Sequence, residues 1–342
     1  MSAFGRRYAE RTHAGTPHWE AMTPPVAEIA DRVLAGHTIG RDEALALVEH
    51  PDPYELAMWG RRITEHFQGT HVDMCAIVSA RGGRCPEDCK FCAQSAHAEA
   101  DAPEYPLKGV DELVEAAQRA KRAGASHFGI VTAGPDPGGD LDAICGAARA
   151  IRERVGIDVH ASAGFLTADG ASRVASAGVT VYNHNLETAS ACFPSIVSTH
   201  THGDRVATVQ VAQAAGMNLC CGCILGLGET AQDRVNLAFE IRELRPSSVP
   251  LNVLHPIPGT PLEDQPPLPP LDIIRTIAMF RFAMPRTRLR LAGGREHNLR
   301  DLQCLSLVAG ANALCLGDYL TTRGRPAEED LQMIADLGLS HS

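Results

Sequence analysis

Eight short apolar runs, at 72–78, 126–132, 159–163, 179–183, 217–225, 248–254, 288–292 and 313–316, recur along the chain with longer amphipathic stretches between them. Such runs, rich in Val, Ile and Leu, suit strands buried on both faces. The intervening apolar spacing predicts helices at 110–123, 140–154, 168–177, 205–215, 231–244, 271–282 and 299–308, with a last one at 326–337. Strands that alternate with helices must run parallel through right-handed crossovers, and eight such units close into a barrel. The fold class is therefore α/β, a (β/α)8 barrel of the TIM type with an N-terminal helical extension. Residues 1–69 form the extension, with helices at 42–50 and 53–68, the second opening on Pro53. Residues 70–342 form the barrel with its C-terminal helix. Pro17, Pro24, Pro25 and Gly36 break any pattern over 1–40, which predicts a loosely packed or mobile stretch. The proline-rich stretch 256–270 reads as a stiff loop after the sixth strand.

Composition narrows the partners. A net charge of −10 gives no electrostatic claim on nucleic acid or an anionic membrane. No apolar run approaches the roughly 20 residues that span a bilayer. Arg6, Arg7 and Arg11 near the N-terminus lack the apolar segment of a secretory signal, and Glu10 and Glu20 disagree with a transit peptide. Eleven cysteines without an export signal point to a reducing compartment and metal ligation, with the cytoplasm expected. A chain of 342 residues needs no disulfide framework to bury a core.

Three of those cysteines, Cys85, Cys89 and Cys92, crowd into the run Arg84-Cys-Pro-Glu-Asp-Cys-Lys-Phe-Cys-Ala-Gln-Ser-Ala-His97 directly after the first strand. Three thiolates this close can wrap three corners of a cubic iron–sulfur cluster. No fourth cysteine follows in the loop, which leaves one iron open to a small molecule. Zinc with His97 as fourth ligand is the competing reading, although structural zinc sites ordinarily pair two separated knuckles. In a parallel barrel, chemistry gathers where strands end, and that is where this loop falls.

The run resembles the signature of the radical S-adenosylmethionine (SAM) enzymes, and its flanks resemble the biotin synthase family. The resemblance covers roughly residues 70–337. It implies a [4Fe–4S] cluster on Cys85, Cys89 and Cys92, with SAM on the open iron, cleaved reductively to a 5′-deoxyadenosyl radical. In Tyr182-Asn-His-Asn-Leu-Glu-Thr188, Asn185 and Glu187 match residues lining the SAM and substrate pocket, with Glu187 where the family has Asp. Asn183 joins them as a candidate substrate contact. Arg205 matches an arginine that pairs with the SAM carboxylate, a task suited to its bidentate fork. Gly226 and Gly228 match a turn where backbone approaches SAM. Asn252 matches a second substrate asparagine, and Thr321, with Thr322, a pair facing the substrate carboxylate. Dethiobiotin presents a cyclic urea whose carbonyl and N–H groups complement Asn185 and Asn252. The resemblance also implies a homodimer and a flavodoxin or ferredoxin as electron donor.

One part of the pattern departs. The family holds an auxiliary [2Fe–2S] cluster, its sulfur donor, on three cysteines and an arginine. Here Arg290 and Cys220 remain, while Gly129 and His160 stand at the other cysteine positions. Cys75, usually serine, offers a replacement, so Cys75, His160, Cys220 and Arg290 are the expected set for an altered auxiliary cluster. An inward Arg290 also demands a partner, since an unpaired buried charge costs several kcal/mol. Cys221 and Cys223 fall on the opposite face of a regular strand unless a bulge intervenes. Cys145, Cys192, Cys304 and Cys315 read as small core residues. The altered set keeps two alternatives open: a related enzyme acting on another substrate, such as a lipoyl precursor or a cofactor-maturation intermediate, and a non-catalytic iron–sulfur carrier.

Overall fold

The computed structural model describes residues 25–341, so expectations resting on residues 1–24 lie outside the described residues. Nine strands build the barrel: β1 (His71–Arg81), β2 (His127–Thr132), β3 (Asp158–Ser162), β4 (Val179–Asn183), β5 (Asn218–Cys220), β6 (Cys223–Leu225), β7 (Ser248–Val253), β8 (Arg288–Leu291) and β9 (Ala313–Leu316). They pair in parallel in the order β1-β2-β3-β4-β5-β7-β8-β9, and β9 returns to β1 with Asp73 opposite Ala313 and Ala76 opposite Leu316. β6 pairs with β7 and continues β5, so the two pieces share one of eight places around the barrel.

That division corrects the single strand expected over 217–225. Gly222 lies so close to β7 that an added Cβ would sit 1.9 Å from the Pro250 carbonyl oxygen, and the chain leaves regular pairing there. The interruption does not strand its backbone. The Cys221 N–H bonds the Ser248 carbonyl at 3.0 Å, and the Gly222 carbonyl accepts from Leu186 at 2.9 Å.

Amphipathic helices cover the outside. Val110–Arg122 turns Leu113, Val114, Ala117 and Ala120 inward and its acidic and basic residues outward. Upstream, α1 (Val26–Leu34), α2 (Arg41–Val48) and α3 (Pro53–Gln68) are all ordered helices. The first corrects the loose stretch expected as far as residue 40. Val26, Ile29, Ala30 and Val33 recur at helical spacing and are buried, a stripe that outweighs the flanking prolines. α3 begins where Asp52 accepts from the Tyr54 and Glu55 N–H groups, with Pro53 in the first turn.

One helix start matters for the site. His202–Ala214 opens with a capping box, in which Thr201 accepts from Asp204 N–H and Asp204 returns a bond to Thr201. The cap places the start before Arg205, which therefore lies inside the helix and is 9% exposed rather than sitting at a surface terminus. The helix expected at 299–308 is instead broken into Arg295–Leu299, a 3-10 turn and Gln303–Val308. Among the described residues no helix is long and apolar enough to cross a membrane.

Candidate active site

The loop after β1 is closed by its own backbone. Cys85 N–H donates to the Gln94 carbonyl at 2.7 Å and the Cys85 carbonyl accepts from Ala96 at 2.7 Å, while Cys92 N–H reaches the Cys89 carbonyl at 3.0 Å. A second segment holds it from outside. Asp88 accepts from the N–H groups of Ser198 (2.8 Å) and Thr199 (3.2 Å), and Lys90 N–H donates to the Ile196 carbonyl at 3.1 Å. Burial would raise the Asp88 carboxyl, yet the bonds from Ser198 and Thr199 overcome it and hold it well below the usual range.

Cys85, Cys89 and Cys92 line the mouth of a cavity of about 450 Å³ at the C-terminal face of the barrel. Burial pushes all three thiols up, Cys89 to about 12, so metal would have to displace their protons. Among the described residues no three His, Cys, Asp or Glu side chains converge on a single ion. The three sulfurs share the cavity lining, as wrapping three corners of a multi-iron cluster requires. His97 is exposed, with Nε2 3.1 Å from the Pro86 carbonyl, and it is not part of the cavity wall, which removes it as the fourth zinc ligand.

Beyond the cysteines stands a charged relay. The His200 ring bonds Glu87 of the cysteine loop at 2.5 Å through Nδ1 and accepts from Arg205 Nε at 3.1 Å through Nε2. Arg205 Nη1 donates to the Asn185 carbonyl (3.0 Å) and to Glu187 Oε1 (3.2 Å). Its Nη2 makes no bond among the described residues, so one edge of the guanidinium is left for an anionic ligand. Glu187 sits at a φ of 67° and is buried. Burial raises its carboxyl despite Arg205, and Oε2 has no hydrogen-bond partner.

The three asparagines share a duty that their sequence positions did not announce. Asn183 Nδ2 donates to the Cys220 carbonyl (3.2 Å), Asn185 Oδ1 accepts from Gly222 N–H (3.1 Å) and Asn252 Nδ2 donates to the Cys223 carbonyl (3.0 Å). Asn185 thus serves the Gly222 N–H at the break, while Asn183 and Asn252 add bonds to carbonyls on either side of it. Asn252 also accepts from Gly293 N–H at 3.0 Å. Each amide keeps part of its bonding capacity, and all three face the cavity.

The cavity floor is lined by Cys75, Gly129, His160, Cys220, Arg290 and Cys315. Arg290 finds its partner in Asp73, whose Oδ1 lies 2.6 Å from Nη2, and a further bond runs to the Leu314 carbonyl at 3.2 Å. Asp73 Oδ2 also bonds His127 Nε2 at 2.7 Å, and His127 stacks on His160 with ring centroids 4.9 Å apart. Burial lowers the pKa of His160 to about 3, so its ring is neutral. Cys220 and Cys223 have knuckle spacing, yet Cys220 faces the cavity while Cys221 and Cys223 enter the hydrophobic core, as strand alternation expects.

Residues 80–241 match the Radical SAM superfamily and residues 250–340 the Biotin and Thiamin Synthesis associated domain. The chain is 47% identical to a biotin synthase of Desulforudis audaxviator over 94% of its length and 98% of that protein. It is 46% identical to a biotin synthase of Geobacter sulfurreducens over 91% and 96% of the two. The chain belongs to the biotin synthase family. It is thus a radical SAM enzyme of the sulfurtransferase kind, and the family implies a [4Fe–4S] cluster and SAM. Among solved structures, methylornithine synthase (PylB) superposes with a TM-score of 0.80 at 19% identity, covering 92% of this chain and 97% of that one. The hydrogenase maturase HydG gives 0.79 at 16%, over 92% and 75%. At such identities they speak for the barrel alone.

Within this family frame, most residues singled out from sequence meet in one place. Cys85, Cys89, Cys92, Asn183, Asn185, Glu187, Arg205, Asn252, Thr321, Cys75, His160, Cys220 and Arg290 all line the cavity. Gly226 and Gly228 do not. They shape a turn, at φ of 92° and 102°, that Glu229 holds by accepting from Gly226 N–H at 2.8 Å. Cys315 is the small core residue expected, packed with Cys75 and Ala292, and it also borders the cavity. Sequence reasoning also passed over Asp73, His127, Glu87 and His200. Asp73 carried a usable signal, because it falls in the same alternation as the inward Cys75.

Proposed function

We propose that this enzyme inserts sulfur into dethiobiotin to form biotin, with Cys85, Cys89 and Cys92 holding the [4Fe–4S] cluster. When bound, cluster and SAM supply abstraction of hydrogen from unactivated carbon. The reaction replaces two C–H bonds of dethiobiotin by two C–S bonds, so a sulfur source must lie within reach of the same carbons. One observation carries the reading. A single cavity joins the three-cysteine mouth, the Arg205–Glu187 pair and a floor bearing Cys75, His160, Cys220 and Arg290.

In this reading the free edge of Arg205 holds the carboxylate of SAM, and Glu187 and Asn185 bound its pocket. Asn183, Asn185 and Asn252 offer their remaining amide groups to the substrate urea, and Thr321 faces its carboxylate. The buried walls exclude water from an open-shell reaction. Cys75, His160, Cys220 and Arg290 on the floor would hold an auxiliary iron–sulfur cluster, the sulfur source when bound. The extension 1–69 and barrel 70–342 act as one enzyme in the cytoplasm, as a homodimer reduced by a flavodoxin or ferredoxin. Relatives that carry the biotin synthase name leave the readings of another substrate or a carrier without support.

The test is anaerobic, reconstituted protein given dethiobiotin, SAM and reduced flavodoxin, with products read by mass spectrometry. Biotin should form, with none from a Cys89→Ala variant. SAM cleavage without biotin would refute the substrate assignment.

A further inference from the structure

Six of the eleven cysteines line the one cavity, three at its mouth and three at its floor. The mouth trio has its role. The floor trio is Cys75, Cys220 and Cys315, which lie on β1, β5 and β9 and are 7%, 7% and 3% exposed. We propose that Cys315 completes, with Cys75 and Cys220, a three-thiolate seat for the second iron–sulfur cluster, displacing His160 from the ligand set. The proposal rests on the auxiliary cluster assigned above and names its ligands.

Barrel closure makes the seat. Cys75 and Cys315 are register partners across the β1–β9 pair and pack together with Ala292. Cys220 joins them on the shared floor from β5, while its neighbours Cys221 and Cys223 lie in the apolar core. Arg290 lines the same floor as the three thiols. Thiolates in a dry site need a compensating charge, and Asp73 keeps that guanidinium in place. Cys145 packs in the core away from the cavity, whereas these three, though buried, also line it. Iron–sulfur clusters favour soft thiolate over imidazole. His160, stacked on His127, stands beside the seat as a neutral wall.

The experiment uses full-length protein carrying Cys85→Ala, Cys89→Ala and Cys92→Ala, reconstituted without oxygen with iron and sulfide, so that any iron retained reports the floor. About two to four irons with matching sulfide and visible thiolate-to-iron absorption are expected. Adding Cys315→Ala, Cys75→Ala or Cys220→Ala should lower iron and sulfide at least about tenfold, while His160→Ala and Cys145→Ala leave them unchanged. Cys315→Ser keeps the size of the side chain. Its apo-protein should melt like the parent while its iron content or absorption falls, which separates ligand loss from misfolding. Full iron in the Cys315 variants with loss in His160→Ala would overturn the ligand set and leave the auxiliary cluster standing. No iron in the triple variant would overturn the cluster and this inference together.

Discussion

Asp73 is the counter-ion on which the floor of the barrel depends. Replacing it by alanine leaves Arg290, 4% exposed, with only the Leu314 carbonyl as partner. An uncompensated buried charge of this kind costs about 3–5 kcal/mol. For a chain of this length, at roughly 2 °C per kcal/mol, the melting temperature should fall by roughly 6–10 °C. Thermal unfolding of the reduced apo-protein, followed by circular dichroism, measures it. Arg290→Met alone should cost less, because Asp73 keeps His127 at 2.7 Å and Arg288 at 3.5 Å. The double variant Asp73→Ala/Arg290→Met removes the stranded charge and should recover most of the loss. If the double variant melts no higher than Asp73→Ala, the buried-charge account is wrong. Acidity gives a second reading of the same group. Burial alone would raise the Asp73 carboxyl, but His127, Arg290 and Arg288 hold it well below the ordinary value. A carboxylate depressed by folding stabilises fully above its unfolded pKa, about 4, and loses that contribution as pH falls toward the folded value. Wild type should therefore keep this stabilisation down to about pH 4, and Asp73→Asn should lack the acid-dependent loss below it.

Gly222→Ala drives a methyl to 1.9 Å from the Pro250 carbonyl, and backbone cannot yield as a flexible side chain would. A loss above about 3 kcal/mol is expected in urea unfolding, and a change below about 1 kcal/mol would show that the β5–β6 break tolerates side chains. Arg205→Lys replaces a fork that meets His200, Asn185 and Glu187 at once by a single ammonium. SAM affinity, measured anaerobically by equilibrium dialysis, should weaken about 10- to 100-fold, and unchanged affinity would remove Arg205 from the SAM pocket.

Local spacing along the chain was enough for the barrel and for the mouth of its cavity. Eight apolar runs between amphipathic helices suffice for a parallel barrel, because alternation leaves a chain few other ways to bury both faces of its strands. Three cysteines inside one loop declare a cluster because eight consecutive residues cannot drift far apart. Only tertiary structure decided the floor. Asp73 and Arg290 stand 217 positions apart, and Cys75 meets Cys315 only because β9 closes on β1. Period-two alternation tells which residues turn inward, but the stagger between strands decides which of them meet. The same holds at Gly222, where a close approach to Pro250 breaks a strand and leaves the Gly222 N–H to Asn185.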